Sequence, residues 1–171
     1  MTPMPDSERD RIFGDWLAAH KGTLLKVVCA YASEHADRQD LFQEVALQIW
    51  LSVDAYRGDS GVKTWMYRVA LNAAISWTRK QERHQRGKQP LEIVDGLLVA
   101  SGAEADPRVE WLYRQIAQLK ASDRSVALLM LDGFAYKEIA AIAGITDGNV
   151  AVKINRIKAT LTAQLAKEAA S

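Results

Sequence analysis

Aromatic and cationic side chains alternate along the segment KTWMYRVALNAAISWTRKQER, from Lys63 to Arg83. At about 100° per residue on a helix, Arg68, Asn72, Arg79 and Arg83 fall within roughly 60° of one another. The opposite side of that helix carries Met66, Ala70, Ala73 and Trp77. Cations can pair with phosphates and an amide can bond a base edge, so this row has the chemistry of a nucleic-acid contact. A face that is merely solvated is the alternative for such a helix taken alone.

The residues on either side of this row are also aromatic or basic. The approach DAYRGDSGVKTW carries Tyr56, Arg57, Lys63 and Trp65, and the run that begins at Arg79 is rich in Lys and Arg and includes Lys80. Aromatic rings interleaved with cations are suited to stacking on unpaired bases. These neighbours favour a nucleic-acid contact over a solvated face.

A second constellation lies in FAYKEIAAIAGITDGNVAVKINRIKATL. Ala140, Gly144 and Val150 have the spacing of a helix-turn-helix, with Thr146 or Asp147 as the cap of its second helix. The outward positions of that helix are Asn149, Ala151, Lys153, Asn155, Arg156 and Lys158, a set able to reach bases and phosphates in a major groove. A plain helical hairpin without a DNA role is the alternative.

A third constellation is the segment ADRQDLFQEVALQIW. Asp40, Gln43, Glu44 and Gln48 line one helix face, across from the apolar Leu41, Val45 and Ile49. Taken alone, this is a charged exposed face.

Catalytic chemistry finds little support in the sequence. His20, His35 and His84 are scattered without metal-ligand spacing, and Cys29 lies in an apolar stripe, as expected of a small buried hydrophobe. We therefore predict no catalytic residue, no metal site and no cofactor. The opening MTPMPDSERD is not an apolar signal, and no apolar run approaches the roughly 18 residues of a membrane span, so we expect a cytoplasmic protein without membrane insertion.

Helical periodicity dominates the chain and predicts an all-α fold. Basic helices flank a stretch whose charge is acidic from Glu92 to Glu110. The segment RGKQPLEIVDGLLVASGAEAD has no clean period and contains three Gly and one Pro, so we interpret it as a flexible linker. The predicted organisation is a first helical domain over residues 1–86, a linker over 87–106 and a second helical domain over 107–171. The predicted helix starts are Ser7, Thr23, Asp37, Ser60, Asp106-Pro107, and then positions near 123, 136 and 147.

In this order, the motifs resemble a bacterial RNA polymerase sigma factor of the extracytoplasmic-function group. DLFQEVALQIW and YRGDSGVKTWMYRVALNAA look like region 2 of that family, and AYKEIAAIAGITDGNVAVKINRIKATL looks like its region 4. The resemblance covers about residues 10–86 and 107–165. It implies a protein that binds core RNA polymerase, directs it to promoter DNA and is controlled by an anti-sigma factor.

The resemblance also implies roles for particular residues. The clamp helices of the polymerase would be bound by Asp40, Gln43, Glu44, Gln48 and Trp50. The unpaired strand of the −10 element would be held by Tyr56, Arg57, Lys63, Trp65, Arg68, Asn72, Arg79, Lys80 and Arg83. The −35 element would be read by Thr146, Asn149, Lys153, Asn155, Arg156 and Lys158.

One motif departs from the family. Members often carry Lys-Ser-Arg after the recognition-helix valine, whereas this chain has Ala151-Val152-Lys153. A free-standing helix-turn-helix regulator that binds duplex DNA without polymerase is the alternative function. An adaptor without DNA contact is a further alternative, and neither explains the aromatic and basic helix.

Overall fold

The computed structural model describes residues 2–84 and 106–171, and every regular element in these ranges is helical. The helices are α1 (Asp6–Tyr31), α2 (His35–Ser52), a 3-10 turn (Val53–Ala55), α3 (Val62–His84), α4 (Pro107–Ala117), α5 (Ala121–Leu131), α6 (Tyr136–Ala143) and α7 (Asp147–Ala169). The chain divides into two units between Ala105 and Asp106. The predicted all-α class with two helical domains is confirmed. The predicted linker, apart from Asp106, lies outside the described residues.

The first unit is a three-helix bundle in which α1, α2 and α3 each contact the other two. Its core consists of Leu24 and Val27 from α1, the stripe Leu41, Val45 and Ile49 from α2, and Met66, Tyr67, Ala70 and Ala74 from α3. Burying each large apolar side chain contributes about 1.5–3 kcal/mol. The small alanines of α3 allow its backbone to lie close to the other helices. The opposite side of α3 faces solvent.

The first two predicted helices form one element with a kink between them. We expected helices that begin near Ser7 and Thr23, and α1 spans both, with non-helical backbone angles at His20 (φ −124°, ψ 15°), close to the predicted boundary. The expected caps are wrong. No side-chain cap is formed at the start of α1 or α2, which follow Pro5 and Glu34.

The start of α3 also differs from the prediction. Ser60 was expected to cap this helix, but α3 begins at Val62. The carbonyl oxygen of Ser60 instead accepts a hydrogen bond from the Tyr56 hydroxyl at 2.7 Å. The loop before α3 is therefore closed by a side chain that the sequence analysis assigned to DNA.

The second unit packs α5, α6 and α7 together, with α4 against α5. Its start follows the prediction, since Pro107 is the first residue of α4 and the Asp106 carboxylate accepts the Arg108 backbone N–H at 2.9 Å. Gly144 ends α6 in the left-handed region (φ 71°), which costs glycine little. The predicted inner face is buried at Ile139, Ala140, Val150, Ile154 and Ile157, while Ala143 is half-buried. None of the helices in the described ranges is long and apolar enough to cross a membrane.

Candidate nucleic-acid interface

The predicted polar row on α3 is exposed along its length. Arg68, Asn72, Arg79 and Arg83 are all exposed, while Met66, Ala70 and Ala73 on the other side are buried and Trp77 is half-buried. Within residues 2–84 and 106–171, none of the four exposed side chains forms an ion pair. Three cations and one amide on a single face are therefore available to a polyanion.

Three aromatic rings cluster at the N-terminal end of this row. Trp16 of α1 lies edge-on to Tyr56 at 5.2 Å and to Trp65 at 5.5 Å between ring centroids, and Tyr56 and Trp65 are 5.4 Å apart. All three rings are half-buried, while the neighbouring Arg57 and Lys63 are exposed. Edge-to-face pairs of this kind contribute about 0.5–1.5 kcal/mol each. The cluster fixes the loop before α3 and leaves part of each ring accessible to a base.

A groove of about 510 Å³ runs between α2 and α3. Glu44 and Gln48 line one side, with the Gln48 amide donating to the Glu44 carboxylate at 3.1 Å. Asn72 and Lys80 line the other side, with Trp77 between them. The structure thus brings two residues predicted to bind polymerase next to two predicted to bind DNA.

The exposed surface of α2 contains apolar residues that the sequence analysis missed. Asp40 and Gln43 are exposed as predicted, and Leu47 and Leu51, 49% and 54% exposed, continue the same helix face. The helical period did not reveal the exposure of these two leucines. It shows which residues share a face but not which face another helix covers.

The Trp50 side chain is held in place by contacts with α1. Its indole N–H donates to the Asp10 carboxylate at 2.7 Å, and the Arg9 guanidinium lies 4.6 Å from the ring centroid. Arg9 in turn pairs with Asp54 at 2.6 Å. This network joins the N-terminal turns of α1 to the end of α2.

The helix-turn-helix is formed by α6 and α7. The Thr146 hydroxyl accepts the Asn149 backbone N–H at 3.1 Å, so Thr146 rather than Asp147 is the cap. The exposed residues of the second helix include Asn149, Val152, Asn155, Arg156 and Lys158. Of these, only Val152 was absent from the predicted DNA set.

Two of the predicted DNA-binding cations converge on one carboxylate. Lys153 Nζ lies 2.7 Å and Arg156 3.2 Å from Oδ1 of Asp123 on α5. Burial raises the pKa of Asp123, but the hydrogen bond and the charge of Lys153, with those of Arg156, outweigh burial and hold that pKa below its ordinary value. The Asp123 side chain is therefore a carboxylate that orients part of the recognition helix.

Cys29 is half-buried in α1. Burial raises the pKa of the Cys29 thiol, against a smaller opposing effect of Arg38, so the thiol is a poor nucleophile at neutral pH. Among the residues that the structure describes, no group of His, Cys, Asp and Glu could hold a metal ion.

Two family models match the chain and cover both units. Residues 16–84 match Sigma-70 region 2, and residues 109–161 match Sigma-70, region 4. The extracytoplasmic-function (ECF) RNA polymerase sigma-E factor of Escherichia coli K12 is 30% identical over 134 residues, which are 71% of this chain and 70% of that protein. The chain belongs to the ECF sigma factors of RNA polymerase. Sigma factors are non-enzymatic initiation factors, in agreement with the prediction from the residues.

Further relatives of this sigma factor match nearly its whole length. The ECF sigma factor EcfG of Rhodopseudomonas palustris is 29% identical over 170 residues, 95% of this chain and 87% of that one. In fold it is similar to the sigma factor RpoE of Bartonella quintana, solved with the anti-sigma factor NepR, with a TM-score of 0.73 at 23% identity over 91% of this chain and 97% of that one. It is also similar to CnrH, solved with the cytosolic domain of CnrY, with a TM-score of 0.64 at 20% identity over 95% of this chain and 92% of that one.

Proposed function

We propose that this sigma factor directs core RNA polymerase to promoters by capturing an opened −10 strand with its first unit and reading a −35 element with its second. The observation that carries the proposal is the exposed row on α3 beside the aromatic cluster. Cations along the row neutralise phosphates of the strand, and Asn72 bonds a base edge. Stacking adds about 1–3 kcal/mol for each captured base, which offsets the stacking lost when the duplex opens.

The cations proposed to bind the −10 strand fall into two groups by their position in the chain. Arg57, Lys63 and Arg68 lie within three residues of Tyr56 or Trp65 in the chain, and an extruded base would stack on one of these two rings. Arg79, Lys80 and Arg83 lie up to several turns further along α3, at about 1.5 Å per residue, and follow the phosphates. The support for this division is the exposure of every cation named here.

Core polymerase is bound by the exposed face of α2. Asp40 and Gln43 supply hydrogen-bonding groups at its solvent side, and Glu44 and Gln48 supply them at the groove shared with Asn72. Because these residues line one groove, polymerase and the captured strand would bind side by side on one continuous surface. Trp50 contributes by holding α2 on α1 through Asp10.

The −35 element is read by α7. Asn149 and Asn155 can bond adenine edges in the major groove, while Arg156 and Lys158 contact phosphates. Thr146, as the cap, places the N-terminus of α7 and its free N–H groups at the DNA backbone. Lys153 adds positive charge beside this face while it stays paired with Asp123.

An anti-sigma factor is a further proposed partner. The sigma factor RpoE, of similar fold, was solved with the anti-sigma factor NepR, and CnrH, also of similar fold, was solved with the cytosolic domain of CnrY. A protein that competes for the α2 face would keep this sigma factor from polymerase. Because its main partner is core polymerase, we place its work in the cytoplasm.

Permanganate reactivity of thymines tests strand capture directly. Core polymerase with this sigma factor should make thymines around the −10 element reactive, and core polymerase alone should not. A free-standing regulator would instead bind duplex DNA without polymerase and leave the thymines paired. Protection of duplex DNA by the protein alone, with no reactive thymine in the presence of core polymerase, would replace the sigma proposal with that alternative.

A further inference from the structure

Val152 is the exposed apolar residue at the centre of the outward face of α7. Its side chain is 62% exposed, although valine is a residue type that is usually buried. At about 100° per residue, Val152 lies nearly opposite the buried Val150, Ile154 and Ile157. It therefore plays no part in the core of the second unit.

The side chains around Val152 on this face are two amides and one cation. Asn149 precedes it and Asn155 follows it by three residues, which places all three side chains along one exposed side of the helix. Lys153, the next residue, and Arg156, four residues further, both pair with Asp123, at 2.7 and 3.2 Å. The centre of the recognition face is thus an apolar side chain between two hydrogen-bonding amides, and both nearby cations are paired with a carboxylate of α5.

This arrangement is complementary to one feature of the DNA major groove. Adenine presents a donor and an acceptor that an asparagine amide can bond, and thymine presents a 5-methyl group that favours apolar side chains. An apolar side chain between two amides fits a T·A pair next to A·T pairs. Cytosine lacks this methyl group and presents a polar donor in the same region.

We propose that Val152 is a specificity-determining residue that recognises the 5-methyl group of a thymine in the −35 element. The inference rests on the proposed function of α7 as the helix that reads this element. It gives a role to a position at which this chain departs from the common Lys-Ser-Arg motif. Val152 stands in place of the serine there, so two methyl groups replace a polar hydroxyl.

Replacing thymine by deoxyuridine tests this inference because it removes only the methyl group. Holoenzyme assembled from core polymerase and this sigma factor is titrated with promoter fragments in which each −35 thymine, on either strand, is replaced in turn. We expect one replacement to weaken binding by roughly three- to five-fold, the value of one buried methyl group. The Val152→Ala variant should bind the thymine promoter more weakly by a similar factor and be insensitive to that replacement.

The controls separate this inference from the proposed function. Leu165→Ala removes an apolar side chain of similar exposure, 56%, about 20 Å further along α7, and should keep the full sensitivity to deoxyuridine. Val152→Ala should also leave the salt dependence of binding unchanged, since valine neutralises no phosphate.

Two results would overturn the inference. Promoter-specific binding by the wild-type holoenzyme with no sensitive thymine, or with equal sensitivity in Val152→Ala, would remove the role of Val152 and leave the proposed function intact. Failure of the wild-type holoenzyme to prefer promoter DNA at all would overturn the proposed function and this inference with it. Alanine is the better helix former, so the variant is not expected to unfold α7.

Discussion

Lys153 Nζ lies 2.7 Å from Oδ1 of Asp123, a contact between residues 30 positions apart in the chain. Asp123 is 7% exposed, at the first turn of α5, and it also accepts a hydrogen bond from Arg156 at 3.2 Å. Two cations of the recognition helix are therefore fixed by one carboxylate of the unit core. The contact links the stability of the second unit to the orientation of the side chains it offers to DNA.

Removal of the Asp123 charge should destabilise the second unit. Hydrogen bonds to charged groups contribute about 1.5–3 kcal/mol, and because Lys153 keeps 21% exposure we expect Asp123→Asn to cost about 1–2 kcal/mol. Hydrogen exchange of the buried amides of α5 and α7 measures this free energy within the second unit. Glu168→Gln, at an exposed position near the end of α7, is the matched control and should cost little. Equal protection in Asp123→Asn and wild type would show that the contact contributes nothing to folding.

Acid should abolish the same contribution. Because the pKa of Asp123 is held below its unfolded value of about 3.9, the contact contributes fully above that pH and is lost as pH falls through the folded pKa. The difference in free energy of unfolding between wild type and Asp123→Asn should thus be constant near neutral pH and shrink below about pH 4. Urea unfolding at a series of pH values checks this. A difference that grows as pH falls would have the wrong sign.

Asn72 should determine selectivity at the −10 element. A well-placed amide contributes about 1–3 kcal/mol of discrimination between bases, so Asn72→Ala should reduce the preference among −10 variants by roughly 5- to 150-fold. Run-off transcription from promoters that differ at one −10 base measures the preference. Glu82→Gln, which alters an exposed residue about 15 Å further along α3, is the control. An unchanged ranking of promoters in Asn72→Ala would remove Asn72 from the site.

Leu47 should contribute to polymerase affinity. A fully buried leucine is worth about 1.5–3 kcal/mol, so Leu47→Asp should weaken binding to core polymerase by at least roughly ten-fold. Fluorescence anisotropy of labelled sigma factor titrated with core polymerase gives the affinity. Leu165→Asp places the same charge at an exposed leucine of the second unit and should leave polymerase affinity near that of wild type. If the two variants bind equally well, the apolar part of α2 is not in the interface.

Local chemistry explains which parts of the fold were predictable. Asp106-Pro107 and Gly144 determine a helix start and a helix end through their own backbone and side-chain preferences, and both were predicted correctly. Ser7, Asp37 and Ser60 have capping side chains too, but the helices begin at Asp6, His35 and Val62, so a capping residue type alone did not determine the start. The first two predicted helices are joined across a kink at His20, which no residue type in the sequence indicates.

The candidate site also has features that the sequence predicts and features that it does not. The row on α3 was predictable because its period places core and solvent sides within one helix. The contacts of Trp16 with Tyr56 and of Lys153 with Asp123 join distant parts of the chain, so the sequence pattern could not show them. The exposure of Val152 follows from the same helical period, which places it opposite Val150, Ile154 and Ile157, although valine is a residue type that is usually buried.

Run-off transcription with purified core polymerase shows whether this protein directs polymerase to promoters. The sigma factor and core polymerase are mixed with a panel of promoter fragments, and transcripts are compared with those from core polymerase alone. Promoter-specific transcripts that require this protein and disappear when either the −10 or the −35 element is scrambled are the predicted result. Absence of stimulation on every fragment, together with specific duplex binding by the protein alone, would contradict the account.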